Sequence, residues 1–177
     1  MTAVLPPPEF SHVVPLSDIG SRIVHHSLAA SESERAALAR RFGLLSLDAL
    51  GGEIDLASDD SGIIARGTIT ASLSQACVIS GAAVPASIDE PFEVRFVAET
   101  DYEPDAEIEL DANDCDVMFH DGRGVDLGEL VAQTLGLAID PYPRSPDAEA
   151  VLEKAGVKDE AEVGPFAALA ALRKDSA

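Results

Sequence analysis

The segment Val125 to Arg144, VDLGELVAQTLGLAIDPYPR, constrains this chain more tightly than any other. Asp126 followed three residues later by Glu129 spells a capping box, the signature of a helix start. Leu127, Leu130, Val131, Thr134 and Leu135 then recur at helical spacing, so the helix has one apolar face that must be buried. Pro141 and Pro143 stop it, because proline lacks the N–H and biases the residue before it toward extended backbone. Arg144 therefore stands just past the helix on a stiff Pro141-Tyr142-Pro143 connector.

Ahead of this segment the chain reads as mixed. Phe10 to Pro15 suits a short strand, and Ser17 to Leu28 shows no clean period and is left unassigned. Ser31 with Glu34 forms a second capping box. Ala37, Leu38, Arg41 and Phe42 follow at helical spacing, and Gly43 suits the left-handed stop. Arg35, Arg40 and Arg41 on this helix are the densest basic cluster, and internal charge balance is their expected role. Leu44 to Ser58 reads as a strand with a bulge or bend at Gly51-Gly52, and Asp59 to Gly62 as a turn. Ile63 to Ser74 alternates, with Ile63, Ala65, Gly67, Ile69, Ala71 and Leu73 on one side, which predicts a half-buried antiparallel strand and a hairpin. Gly81 to Pro85 reads as a turn. Ser87 to Glu99 returns as a strand with Phe92, Val94 and Phe96 on one face, and Pro91 makes it begin late or lie at an edge.

From Glu99 to Asp111 every odd position is acidic. An extended chain would put all these carboxylates on one face. Pro104 interrupts it, which predicts a loop and then a short strand near Glu107 to Leu110. Ser145 to Gly164 is acidic and weakly patterned, as a flexible connector would be. Pro165 to Lys174 carries Phe166, Leu169 and Leu172 at helical spacing, but a helix that short needs something to dock on.

The chain has 177 residues, enough for one core, and 46% of them are hydrophobic, a globular composition. There is no Trp and only two Tyr, so the core must be aliphatic. Twelve Lys and Arg face 32 Asp and Glu, a formal net charge of -20. Such a surface repels phosphate backbones and favours basic protein partners; DNA is not an expected ligand. MTAVLPPPEF lacks a basic start and an apolar core, and no apolar run reaches the roughly 20 residues of a membrane span. The expected location is cytoplasmic, with no membrane partner.

Signatures of catalytic or metal chemistry are few. His12, His25, His26 and His120 fall in no triad signature, and there is no Gly-x-Ser-x-Gly elbow. Phosphate loops are absent. Cys77 reads as a buried, inert thiol. Cys115 and His120, with Asp116 and Asp121 nearby, are at best a fragment of a metal site. The acidic run does not meet calcium-loop offsets and reads first as a solvated face. The expectation is a non-enzymatic protein with no catalytic, cofactor or metal residues. The alternative is a cation- or small-ligand-binding protein, or an enzyme, that uses the acidic face.

Three motifs in order resemble the YceD family, the large ribosomal RNA subunit accumulation proteins of bacteria. They are Cys77 after the strand GTITASLSQACVIS, the capped helix running into DPYPR, and the closing GPFAALAALRK. The resemblance spans about Gly67 to Lys174. Some family members carry Cys-x-x-Cys at the first motif; here the second position is Ser80, which removes the case for zinc there. The resemblance implies a factor supporting 23S rRNA accumulation and large-subunit biogenesis. Its partner would be a basic ribosomal or assembly protein, and its association with 23S rRNA direct or indirect. The candidates for partner binding are Asp126, Glu129, Pro141, Tyr142, Pro143, Arg144, Phe166, Leu169 and Leu172. Asp126 and Glu129 also have a simpler role, capping the helix and complementing its dipole. The expected architecture is α+β: a curved antiparallel sheet flanked by two main helices, in a single domain over 10–144. An acidic flexible connector (145–164) and a C-terminal helical tail (165–177) would follow.

Overall fold

A computed structural model describes residues 8–59, 62–98 and 116–157. It divides into two compact units, Met1–Gln75 with Pro85–Asp140, and Ala76–Val84 with Pro141–Ala177. The elements in order are β1 (Val13–Pro15), a 3-10 turn (Leu16–Asp18), β2 (Val24–Ala29), α1 (Glu32–Phe42) and β3 (Ser46–Asp59). After them come β4 (Gly62–Ala76), β5 (Ala83–Ala98), β6 (Asp116–His120), β7 (Gly124–Asp126), α2 (Leu127–Ala138) and α3 (Ala148–Lys154). The α+β expectation is borne out. Among the described residues one open sheet has the order β2-β3-β4-β5-β6, and β1 pairs with β7 in a second, two-stranded sheet.

The expected all-antiparallel sheet needs correction. β6 runs parallel to β5, pairing Val94 with Asp116 and Ala98 with His120. A parallel return needs a connection of about a dozen residues or more, which 99–115 supply. β2 is an antiparallel edge strand in the stretch left unassigned above. It escaped notice because it is polar on its open face: His25 sits between Asp55 (2.8 Å) and Glu53 (2.9 Å) of β3. Those carboxylates, Asp55 first, raise the His25 pKa. β5 starts well before Pro91. That proline is tolerated because β6 pairs with β5 only from Val94 onward.

The hairpin β3–β4 pairs as expected, from Ser46↔Ser74 to Asp59↔Gly62, but its irregularity lies between Leu47 and Ala49 and not at Gly51-Gly52. The bulge resets the pleat. Leu47 is buried, and after it Leu50, Ile54 and Leu56, at the opposite parity. The glycines remain in register because a helix crosses them: a Cβ on Gly52 would lie 2.8 Å from the Val131 Cγ2.

α1 has the capping box of Ser31 and Glu34, and Gly43 ends it at φ 65°. α2 buries Leu127, Leu130, Val131, Thr134 and Leu135, the stripe read from the sequence. The core is this stripe together with Leu38 of α1 and the inward side chains of β3, β4 and β5, among them Ile54, Ile69, Leu73 and Phe96. It is aliphatic apart from Phe10 and Phe96.

Gly128 marks a close approach. A Cβ there would meet His12 N, Phe10 O and Ser11 Cα, each at 2.8 Å. Replacing a helical Gly by Ala ordinarily stabilises by about 1 kcal/mol. Here the overlap is with backbone and outweighs that gain. Gly128→Ala is expected to lower unfolding stability by about 1–2 kcal/mol in urea titration. A stabilised variant would show that the N-terminal segment is not held against α2.

Candidate functional site

Two features that lie far apart in sequence meet in the second unit. Cys77 ends the run of β4 and opens a turn closed by Gly81 N donating to Cys77 O (2.9 Å), with Gly81 at φ 72°. Opposite the turn lies the segment that follows Pro141. Val78 N donates to Pro143 O (2.9 Å). Ser145 N donates to Cys77 Sγ (3.2 Å), and Ser80 N donates to the same sulfur (3.4 Å). The Ser80 and Ser145 hydroxyls are 3.0 Å apart. The cysteine therefore acts as the fastener of the Pro-Tyr-Pro-Arg connector.

Cys77 is buried as expected, at 3% exposure. It is not an ordinary thiol, however. Hydrogen bonds from Ser145, then from Ser80, favour the thiolate over the opposing effect of burial and hold its pKa down at about 6. Neither serine stood out in the sequence as a functional residue. The sulfur is engaged by the side chain and the backbone N–H of Ser145 and likewise of Ser80, and loop serines carry no sequence signature of that role.

The fastening displays the connector in alternation: Pro143 and Ser145 are buried, while Tyr142 (74% exposed) and Arg144 face outward. Segment 145–164, read above as a flexible connector, carries α3 over its described part, and Ala148 of that helix is buried.

Asp126 and Glu129 belong to the first unit. Asp126 Oδ1 accepts from Gly128 N (3.0 Å) and Glu129 N (3.1 Å), the N-cap bonds of α2. The same oxygen accepts from His12 N (2.8 Å), and Oδ2 accepts from Ser11 Oγ (2.6 Å). Glu129 does not close the expected capping box. It takes Arg41 of α1 in a bidentate pair (2.8 and 3.0 Å), and Arg41 also donates to Glu9 (3.0 Å). The internal charge balance expected of the α1 cluster is thus visible at Arg41.

Phe166, Leu169, Leu172, Cys115 and the alternating acidic run lie outside the described residues. Among the described residues, no group of three or more His, Cys, Asp or Glu is placed to hold a metal ion. No described helix is long and apolar enough to cross a membrane.

A chain that fastens a Pro-Tyr-Pro-Arg connector to a cysteine turn matches the family model described as "Large ribosomal RNA subunit accumulation protein YceD" over residues 65–173, and it belongs to that family. The match takes in β4, Cys77, α2 and the connector. Comparison with curated proteins and with solved structures gave no significant match.

Two outcomes are expected. Asp126→Ala removes a helix cap and strands His12 N and Ser11 Oγ, lowering stability by about 2 kcal/mol in chemical unfolding. Asp126→Asn, which keeps an acceptor oxygen, loses less. For Cys77, thiolate absorbance in a Cys115→Ser background should titrate with a midpoint near about 6, and Ser145→Ala should move it upward. Between that midpoint and the ordinary thiol value of 9.0 the unfolded chain binds more protons here than the folded one. Stability from this group is therefore full above the ordinary value, declines as pH falls through the window, and is gone below the folded pKa. A midpoint at the ordinary value would show that the sulfur bonds are absent in solution.

Proposed function

We propose that this protein supports accumulation of 23S rRNA as an adaptor or chaperone for a basic large-subunit ribosomal or assembly protein. The observation that carries this reading is membership of the large ribosomal RNA subunit accumulation family in a chain with a net charge of -20. A surface so acidic favours lysine- and arginine-rich proteins over bare phosphate backbones. Contact with RNA, where it occurs, is local, through Arg144 on its rigid connector or the Arg173-Lys174 pair. Tyr142 and Arg144 supply an exposed aromatic and a pre-ordered guanidinium, residue types that contribute strongly to interfaces. No step of this role calls for catalysis.

Depletion of the protein is expected to lower 23S rRNA relative to 16S, and wild-type protein restores the ratio. Tyr142→Ala with Arg144→Ala, at undiminished thermal stability, restores it incompletely. An unchanged ratio under confirmed depletion would overturn the role.

A further inference from the structure

In the first unit, β5, β6 and α2 enclose an open groove of about 470 Å3. Its floor is apolar, made by Phe92 of β5, Met118 of β6 and Leu130 at the core side of α2. Leu137 of α2, 83% exposed, stands on its wall. A single exposed aliphatic side chain is unremarkable on a protein surface. One standing over a concavity with an apolar floor marks a place where a partner would recover hydrophobic free energy.

The groove's rim narrows the choice of occupant. Glu90, Glu93 and Asp116 line it, and no Lys or Arg does among the described residues. Glu93 is already paired, with its carboxylate 2.8 Å from Arg66 Nε. Glu90 and Asp116 are exposed. A neutral apolar ligand would leave these carboxylates without reward, and an acidic one would be repelled. We propose that the groove docks an amphipathic basic segment of a protein partner, with aliphatic side chains on its floor and lysines or arginines along its rim. Recognition then follows the helix-in-groove mode, with apolar anchors one helical turn apart. The inference rests on the basic-partner reading above and gives that partner a site.

The test uses the full chain and a fluorescent leucine/lysine peptide of about four helical turns, patterned to be amphipathic. A scrambled peptide of the same composition is the control. The amphipathic peptide should bind at least about tenfold more tightly than the scrambled one by anisotropy. Leu137→Arg and Glu90→Lys, both at exposed positions, should each weaken it about tenfold with unchanged melting temperature. Leu45→Arg, an exposed leucine that does not line the groove, sets the effect of added charge alone. If the groove variants weaken binding no more than Leu45→Arg, the groove is not the site, while the basic-partner reading stands. Equal binding of both peptides overturns the groove in the same way. If neither peptide binds at low salt, the basic-partner reading falls as well.

Discussion

The carboxylate of Asp126 is where the first unit is tied together. One of its oxygens caps α2 through Gly128 and Glu129 and also holds His12 N, while the other takes the Ser11 hydroxyl. A helix N-terminus presents orphan N–H donors and a partial positive charge, and an aspartate answers both. Here the same group also fixes a segment 114 residues earlier in the chain. The pairing of β1 with β7 and the absence of a side chain at Gly128 follow from that closeness. With α2 placed, its apolar stripe covers the sheet at Gly52, and most of the core is set.

Charge within the fold is distributed unevenly. Arg41 is spent on Glu9 and Glu129, Arg66 on Glu93, and Arg95 lies 3.7 Å from Asp59. With twelve basic residues against 32 acidic ones, each cation paired within the fold is one fewer to offset the remaining carboxylates. Exposed pairs of this kind add little stability, about 0–1 kcal/mol each. Their larger consequence is for association, since a surface of one sign steers partners of the other. The groove rim, with carboxylates and no cation among its described residues, is the local version of that asymmetry.

Elements that speak through side chains could be read in the sequence. The α1 capping box, the Gly43 stop, the α2 stripe and the inward face of β4 all appear where periodicity puts them. β2 was hidden because an edge strand that pairs His25 with carboxylates does not alternate apolar with polar. The bulge is encoded in Leu47 and Leu50, which, three apart, cannot share a face of a regular strand, whereas the double glycine answers to α2 above it. The parallel course of β6 depends on long-range pairing, which no local pattern encodes. Of the candidate site, Cys77 and the Pro-Tyr-Pro-Arg connector were both conspicuous as residues. That one fastens the other was not, because serines that meet a sulfur through side chain and main chain are the same residue type as any loop serine.

The fastening also imposes an order in time. On a ribosome the hairpin of β3 and β4 emerges complete before Cys77 does, since its contacts are close in sequence. The cysteine turn must then wait for Ser145, 68 residues later, before its sulfur is engaged. Throughout that interval the sulfur lacks its donors from Ser145, and Tyr142 and Arg144 have yet to be fixed in place. The surface they present thus exists only on a chain whose synthesis has passed them, so that a truncated product lacks it.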